Sequence, residues 1–198
     1  MRAQLRIGCF LTARSGARAL ALAFALALTG LVPLAAGPAR AAVADSSATG
    51  FTVTISVTIA APADSVFLAV VDEVGDWWNP VHTYSGASEN LTIDPYAGGC
   101  FCEQLEGDGS VQHMQVVSVE PGRMLRMIGG LGPLQGLGVC GSMTWEFADA
   151  DSGSRIDLTY AVGGYVAGGL ASWAGGVDQV LSEQVARLKA HVEKTAGE

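Results

Sequence analysis

Between Gly98 and Phe147 the chain runs through four stretches of strand-forming residues, each joined to the next by a turn that contains Gly or Pro. Such a stretch constrains the fold more than any other in the chain, because it commits about fifty residues to an antiparallel meander. Its sharpest part is a hairpin. Cys100 to Glu106 and Ser110 to Val119 flank Gly107-Asp108-Gly109, a loop of the length and composition that joins adjacent strands. A three-residue loop sets Glu106 opposite Ser110, Leu105 opposite Val111 and Glu103 opposite His113, provided no bulge interrupts the ladder. Side chains alternate along a strand. Phe101, Glu103 and Leu105 therefore share a face with Val111, His113, Gln115 and Val117. That face is mostly apolar and is expected to point inward, carrying one carboxylate and one imidazole within cross-strand reach. Cys100, Cys102, Gln104, Ser110, Gln112 and Met114 take the opposite face.

The chain before this domain has a different character. Arg2, Arg6, Arg14 and Arg18 make a basic start, Ala19 to Ala36 is an apolar run, and Ala39-Arg40-Ala41 has the small-x-small pattern of a cleavage site. Residues 1–41 read as a secretory signal peptide, with an uncleaved anchor as the alternative. Residues 42–50 read as a disordered linker, and residues 51–196 as one folded domain. Cleavage matters for charge. The leader holds five of the eleven basic residues and none of the nineteen acids, so the mature chain carries a net −13. A domain so acidic repels nucleic acid and anionic lipid headgroups. No later apolar run is long enough for stable membrane insertion. The expected location is periplasmic or secreted.

An oxidising compartment permits disulfides, and Cys100, Cys102 and Cys140 remain after the leader is removed. Cys100 and Cys102 stand two residues apart on one strand face, about 6.6 Å by strand rise, a separation at which a bridge between them is strained. Pairing of either with Cys140 needs a curled sheet. The simplest expectation is small buried residues with at most one disulfide. No Cys or His spacing suits a metal, and no cofactor is implied.

Around the meander the pattern is regular. Phe51 to Ile59 alternates apolar with Thr and Ser, as a half-buried strand does. Pro62 opens a helix whose stripe is Val66, Phe67, Val70, Val71 and Val74, closed by Gly75. Trp77-Trp78 lies in a second short turn, where one ring packs and the other lines a cavity mouth or is exposed. Leu91 to Asp94 is a short edge strand. Gly129 to Gly138 holds glycines and leucines without charge, and reads as a loop over a pocket entrance or as a packed hairpin arm. Val139 to Phe147 and Arg155 to Val162 are strands. From Val177 to about Lys194, Val177, Val180, Leu181, Val185, Leu188 and Val192 recur at helical spacing.

The order is strand, helix, short helix, six strands, long helix. With the residues of Ile59 to Phe67, Trp77 to Pro80, Gly98 to Phe101 and Val116 to Leu125, it resembles the SRPBCC superfamily of START lipid-transfer domains, birch-pollen-allergen-like proteins and polyketide cyclases. Those four stretches look most like its bacterial Hsp90-ATPase-activator-related members. The resemblance implies an α+β helix-grip fold: a curved seven-stranded antiparallel sheet wrapped around a long C-terminal helix, with two short helices between the first two strands. It also implies an apolar small molecule held between sheet and helix. A co-chaperone role fits poorly with a secreted chain.

Fold does not fix activity. One expectation is a periplasmic or secreted binding protein for a hydrophobic, lipid-like or aromatic molecule, lined by Trp78, Phe101, His113, Gln115, Leu134, Trp145, Tyr160 and Trp173. The alternative is a cyclase or dehydratase, with His113 as base, Glu103 orienting it, and Tyr160 or Gln115 holding a carbonyl oxygen. The same Glu103 and His113 would equally make a structural cross-strand pair. A protein-interaction role without a ligand is the third possibility. No P-loop, dinucleotide-binding glycine pattern or G-x-S-x-G motif is present.

Overall fold

The computed structural model describes residues 40–197. Eight strands form one antiparallel sheet: β1 (Arg40–Ser46), β2 (Gly50–Ile59), β3 (Leu91–Ile93), β4 (Cys100–Gln104), β5 (Ser110–Glu120), β6 (Met124–Gly129), β7 (Gly138–Ala150) and β8 (Gly153–Tyr165). Their spatial order is β1-β2-β8-β7-β6-β5-β4-β3. Helix α1 (Ala63–Asp72) and the single turn α2 (Val74–Trp77) separate β2 from β3, and α3 (Ala171–Thr195) closes the chain. This is the helix-grip architecture expected from the sequence.

Each long strand buries alternate residues. On β2 these are Phe51, Val53, Ile55, Val57 and Ile59; on β8 they include Ile156, Leu158, Tyr160 and Val162. They meet Leu181, Val185, Leu188 and Val192 of α3, so one face of sheet and helix makes a continuous core. Helix α1 adds Val66, Phe67, Val70 and Val71, with Phe67 edge-on to Phe147 at 5.5 Å. At roughly 1.5 Å per residue, the twenty-five residues of α3 span about 37 Å, enough to cross the sheet.

Three local expectations are corrected. First, the sheet has eight strands instead of seven, because most of the expected linker 42–50 is ordered: Arg40–Ser46 pairs with β2, through contacts such as Ala42 with Thr54 and Ser46 with Phe51. Its side chains are exposed from Ala42 onward, so the apolar alternation that marks a half-buried strand is missing. Backbone pairing alone adds it to the edge. The leader expected over 1–41 lies, up to residue 39, outside the described residues.

Second, the hairpin closes earlier. Gly107 and Asp108 both take positive φ (65° and 63°), Leu105 N–H donates to Gly109 at 2.8 Å, and the first ladder pair is Gln104 with Ser110. Glu103 thus faces Val111. A bulge follows, with Cys102 paired to Gln112 but Phe101 to Met114, which leaves His113 as the extra residue. His113 and Met114 are consequently both buried, and the alternation beyond them inverts. Met114 and Val116 point in, whereas Gln115 and Val117 point out.

Third, Cys100 and Cys102 are bonded to each other, with Cα atoms 5.3 Å apart. Strand β4 is contracted there relative to an ideal strand, beside the ladder irregularity at Phe101. Both are half-buried, and Cys140 is a free, exposed thiol.

Candidate functional site

A cavity of about 830 Å³ lies between the sheet and the first half of α3. Its floor is Phe101 and His113 from the hairpin and Tyr160 from β8; its roof is Trp173, Val177 and Leu181 of α3. Trp78, Tyr84, Leu131 and Leu134 line the rest of it. Those leucines belong to the charge-free loop, which forms a 3₁₀ turn at Gly132–Gly136 and lines the cavity, with Leu134 buried. The loop packs there because its glycines permit the tight path while its leucines remove apolar surface from water.

Of the residues expected to line a pocket, Trp78, Phe101, His113, Leu134, Tyr160 and Trp173 do so. Gln115 and Trp145 do not. Gln115 is exposed on the outer face because the bulge reversed its direction. Trp145 is buried in the core, edge-on to Trp77 at 6.4 Å. The tryptophan pair divides its work: Trp77 packs and donates from Nε1 to Ala69 O at 2.9 Å, while Trp78 faces the cavity and donates to His82 O at 3.2 Å.

Tyr84 was legible only as a loop residue, and Val177 and Leu181 only as apolar positions of the helix. Tyr84 reaches the site because residues 79–90 are tied down at several points. Asn79 N–H donates to Gln184 Oε1 at 2.8 Å, the Asn79 amide donates to Glu183, and His82 Nε2 stands 3.2 Å from Glu183. Tyr84 then stacks on the His113 ring (5.8 Å between centroids, 29°) and donates its hydroxyl to Gly132 O at 3.0 Å. That last bond joins two loops that both line the cavity.

Glu103 and His113 meet despite the changed register. Parity is kept, so both still face inward, and His113 Nε2 lies 2.9 Å from Glu103 Oε2. Both side chains are at least 95 % buried. The carboxylate also accepts from the backbone N–H of Tyr84, at 3.0 Å, and of Ser85. Burial alone would push its pKa up; the hydrogen bonds from Ser85, Tyr84 and His113 outweigh that and hold it below the usual carboxylate value. For His113 burial dominates and depresses the pKa, against the attraction of Glu103. The pair at neutral pH is therefore carboxylate and neutral imidazole. Tyr160 is pushed up to about 12 by burial, partly offset by the N–H of Leu131. Its hydroxyl donates to Gly129 O and accepts from Leu131 N–H, both at 3.0 Å, which pins the start of the Gly132–Gly136 loop.

Residues 50–193 match the family model described as polyketide cyclase/dehydrase and lipid transport. The chain belongs to that family. No curated protein matches the chain. Among solved structures, an uncharacterized protein of Rhizobium leguminosarum superposes with a TM-score of 0.57 at 17% identity, covering 76% of this chain and 99% of its own. Protein Ms6760 of Mycobacterium smegmatis gives 0.52 at 19%, covering 77% and 96%. DynU16, from the dynemicin biosynthetic locus, gives 0.52 at 20%, covering 72% of this chain and 47% of that one. At these identities the likeness is one of fold. Within the polyketide cyclase/dehydrase and lipid transport family, the chemistry of this member rests on its own cavity.

Proposed function

We propose that the chain is a binding protein for a hydrophobic small molecule, lipid-like or aromatic, held in the cavity between sheet and α3, and that it works in the periplasm or outside the cell after its leader is removed. The observation that carries this reading is the cavity. Its volume suits a drug-sized molecule, and its walls are aromatic and aliphatic side chains with few polar groups. Equilibrium binding to fatty acids, sterols and aromatic polyketides tests it. Micromolar or tighter binding of one class, lost when Leu134 or Trp173 is replaced by Asp, is expected; no binding by any class contradicts it. The leader supports the location, and cleavage after Ala41 would leave Ala42 to Ser46 paired with β2. An intact Met1 terminus on cytoplasmic protein would contradict that part.

A cyclase or dehydratase reading has one observation in its favour, the Glu103–His113 pair, in which the carboxylate orients the imidazole as it would for a general base. The other half of that mechanism is missing. The groups expected to hold a carbonyl oxygen are unavailable: Gln115 faces outward and the Tyr160 proton is committed to Gly129. A base without a group to stabilise the developing oxyanion gives little acceleration, so binding is the better-supported function.

A further inference from the structure

The lining of the cavity carries no formal charge of its own. Among the described residues that border it there is no Lys, Arg, Asp or Glu. Its titratable groups are two histidines, His82 and His113, and two tyrosines, Tyr84 and Tyr160. His113 is neutral at neutral pH because burial depresses its pKa. His82 Nε2 stands 3.2 Å from Glu183, so a proton gained there is already paired. Tyr160 keeps its proton, its pKa pushed up to about 12 by burial.

The cations of the domain are engaged elsewhere. Arg187 Nε donates to Trp77 O at 2.8 Å, and Lys189 donates to Thr58 O at 2.7 Å and pairs with Glu193. Arg126 and Arg155 are exposed and bonded to Thr144 and Asp157. The two carboxylates bonded to lining residues are occupied as well. Glu103 accepts from Tyr84 N–H, Ser85 N–H and His113, and Glu183 is met by Asn79 and His82. Asp178, whose buried Oδ1 has no partner, is not among the lining residues. Where the lining meets solvent, at Val81, Tyr84, Pro133, Ser172 and Gly176, none of the residues is basic. A charged group carried in by a ligand therefore loses its water and meets no counter-ion. Aromatic faces attract a cation, but that offsets only part of its desolvation.

We infer that the ligand held in this cavity is uncharged, so that neutral lipids and neutral aromatic compounds are taken while free fatty acids and aromatic carboxylates are turned away. The cause is desolvation. A buried carboxylate without a partner takes up a proton instead of staying ionised. At pH 7 a carboxylic acid with the pKa of a glutamate side chain, about 4.3, is protonated in about one molecule in 500. Only that fraction enters, so the discrimination against an acid is bounded at about 500-fold, and any water that follows the head group reduces it. This deepens the proposed binding function and rests on it, so the test separates the two.

The probes are two size-matched series at pH 7: 2-acetylnaphthalene, 2-naphthoate and 2-naphthamidine, and 1-decanol, decanoate and decylammonium. Each is titrated into the wild-type chain in a calorimeter. In any series that binds, the neutral member is expected to bind at least about tenfold more tightly than its anion or its cation. Val180 is half-buried and lines the cavity, so Val180→Lys sets an ammonium against the lining. That variant should narrow the neutral-to-anion ratio by about threefold or more. The wild-type series decides alone where the variant does not fold. A ratio below about tenfold for either ion, or a ratio unmoved in folded Val180→Lys, would overturn the neutral-ligand inference while leaving apolar binding standing. Failure of all six probes to bind would overturn it together with the binding function.

Discussion

Glu103→Gln is the change that bears most on the buried pair, because it preserves shape and alters only charge and donor pattern. In the wild type Oε1 accepts from Ser85 N–H, and Oε2 accepts from both Tyr84 N–H and His113 Nε2. An amide can keep its oxygen on Ser85. Its NH₂ then stands where Oε2 was, facing two donors. The imidazole can respond by moving its proton from Nε2 to Nδ1; the backbone N–H of Tyr84 has no such freedom and loses its acceptor. One hydrogen bond to a charged group is lost, at about 1.5–3 kcal/mol, and the survivors become neutral bonds, at about 0.5–1.5 kcal/mol each. Relief of the desolvated charge offsets part of this. The net expectation is a loss of about 2–3 kcal/mol at neutral pH. Because Glu103 is 1 % exposed, little of this is screened by solvent. Urea denaturation checks it as a lower midpoint with unchanged m-value. The carboxylate's pKa is lowered on folding, so its contribution is complete above the unfolded value of 4.5 and is lost as pH falls through the folded one. The gap between wild type and variant must therefore narrow in acid. A midpoint shift worth less than about 0.5 kcal/mol at pH 7, below even one neutral hydrogen bond, would refute the reasoning.

Other predictions follow from the same contacts. Tyr160→Phe removes the hydroxyl that serves Gly129 and Leu131, so stability should fall by about 1–3 kcal/mol and amide exchange at Leu131 should quicken. Gly141→Ala would put a methyl 2.4 Å from the Tyr160 ring, displacing it and costing about 1–3 kcal/mol in a denaturation experiment, more than the same change at the open Gly175. His113 has its pKa depressed on folding, so its contribution is present above 6.5 and declines as pH falls toward the folded value. A urea midpoint that falls as the pH is lowered below 6.5 checks this.

Much of this architecture is legible in the sequence because its signals are strong and local. The alternation of Phe51 to Ile59 and the helical spacing of Leu181, Val185, Leu188 and Val192 both reflect side chains with one buried face, and both are realised. What escapes is whatever the backbone decides without apolar pattern. The strand Arg40–Ser46 buries no side chain among those described, so only pairing reveals it. Helix α3 begins at Ala171, six residues before the expected Val177, and runs through Gly175 and Gly176. Each glycine costs about 1 kcal/mol in a helix, and the packing of Leu170, Trp173 and Ala174 around the cavity end offsets it.

The site was legible in its composition and illegible in its register. Glu103 and His113 come together as expected, though by a different route. The earlier hairpin closure moves the ladder by an even number of residues, which preserves faces, and their long side chains bridge the diagonal. The bulge at His113 is an odd step, and it exchanges Gln115 for Met114. A single extra residue decides that exchange, and neither residue's chemistry announces it. Tyr84 enters the site only through tertiary ties to α3, so no local pattern could have found it.

Native mass spectrometry of the protein, purified without detergent or organic solvent from the cells that make it, tests the central claim most directly. A population carrying one extra species of about 200–500 Da, the scale of a drug-sized ligand for a cavity of this volume, is predicted. It should be released by denaturation and rebind to the emptied protein with one-to-one stoichiometry. A bare polypeptide mass under every condition, with no uptake of any apolar compound offered to it, would contradict the account.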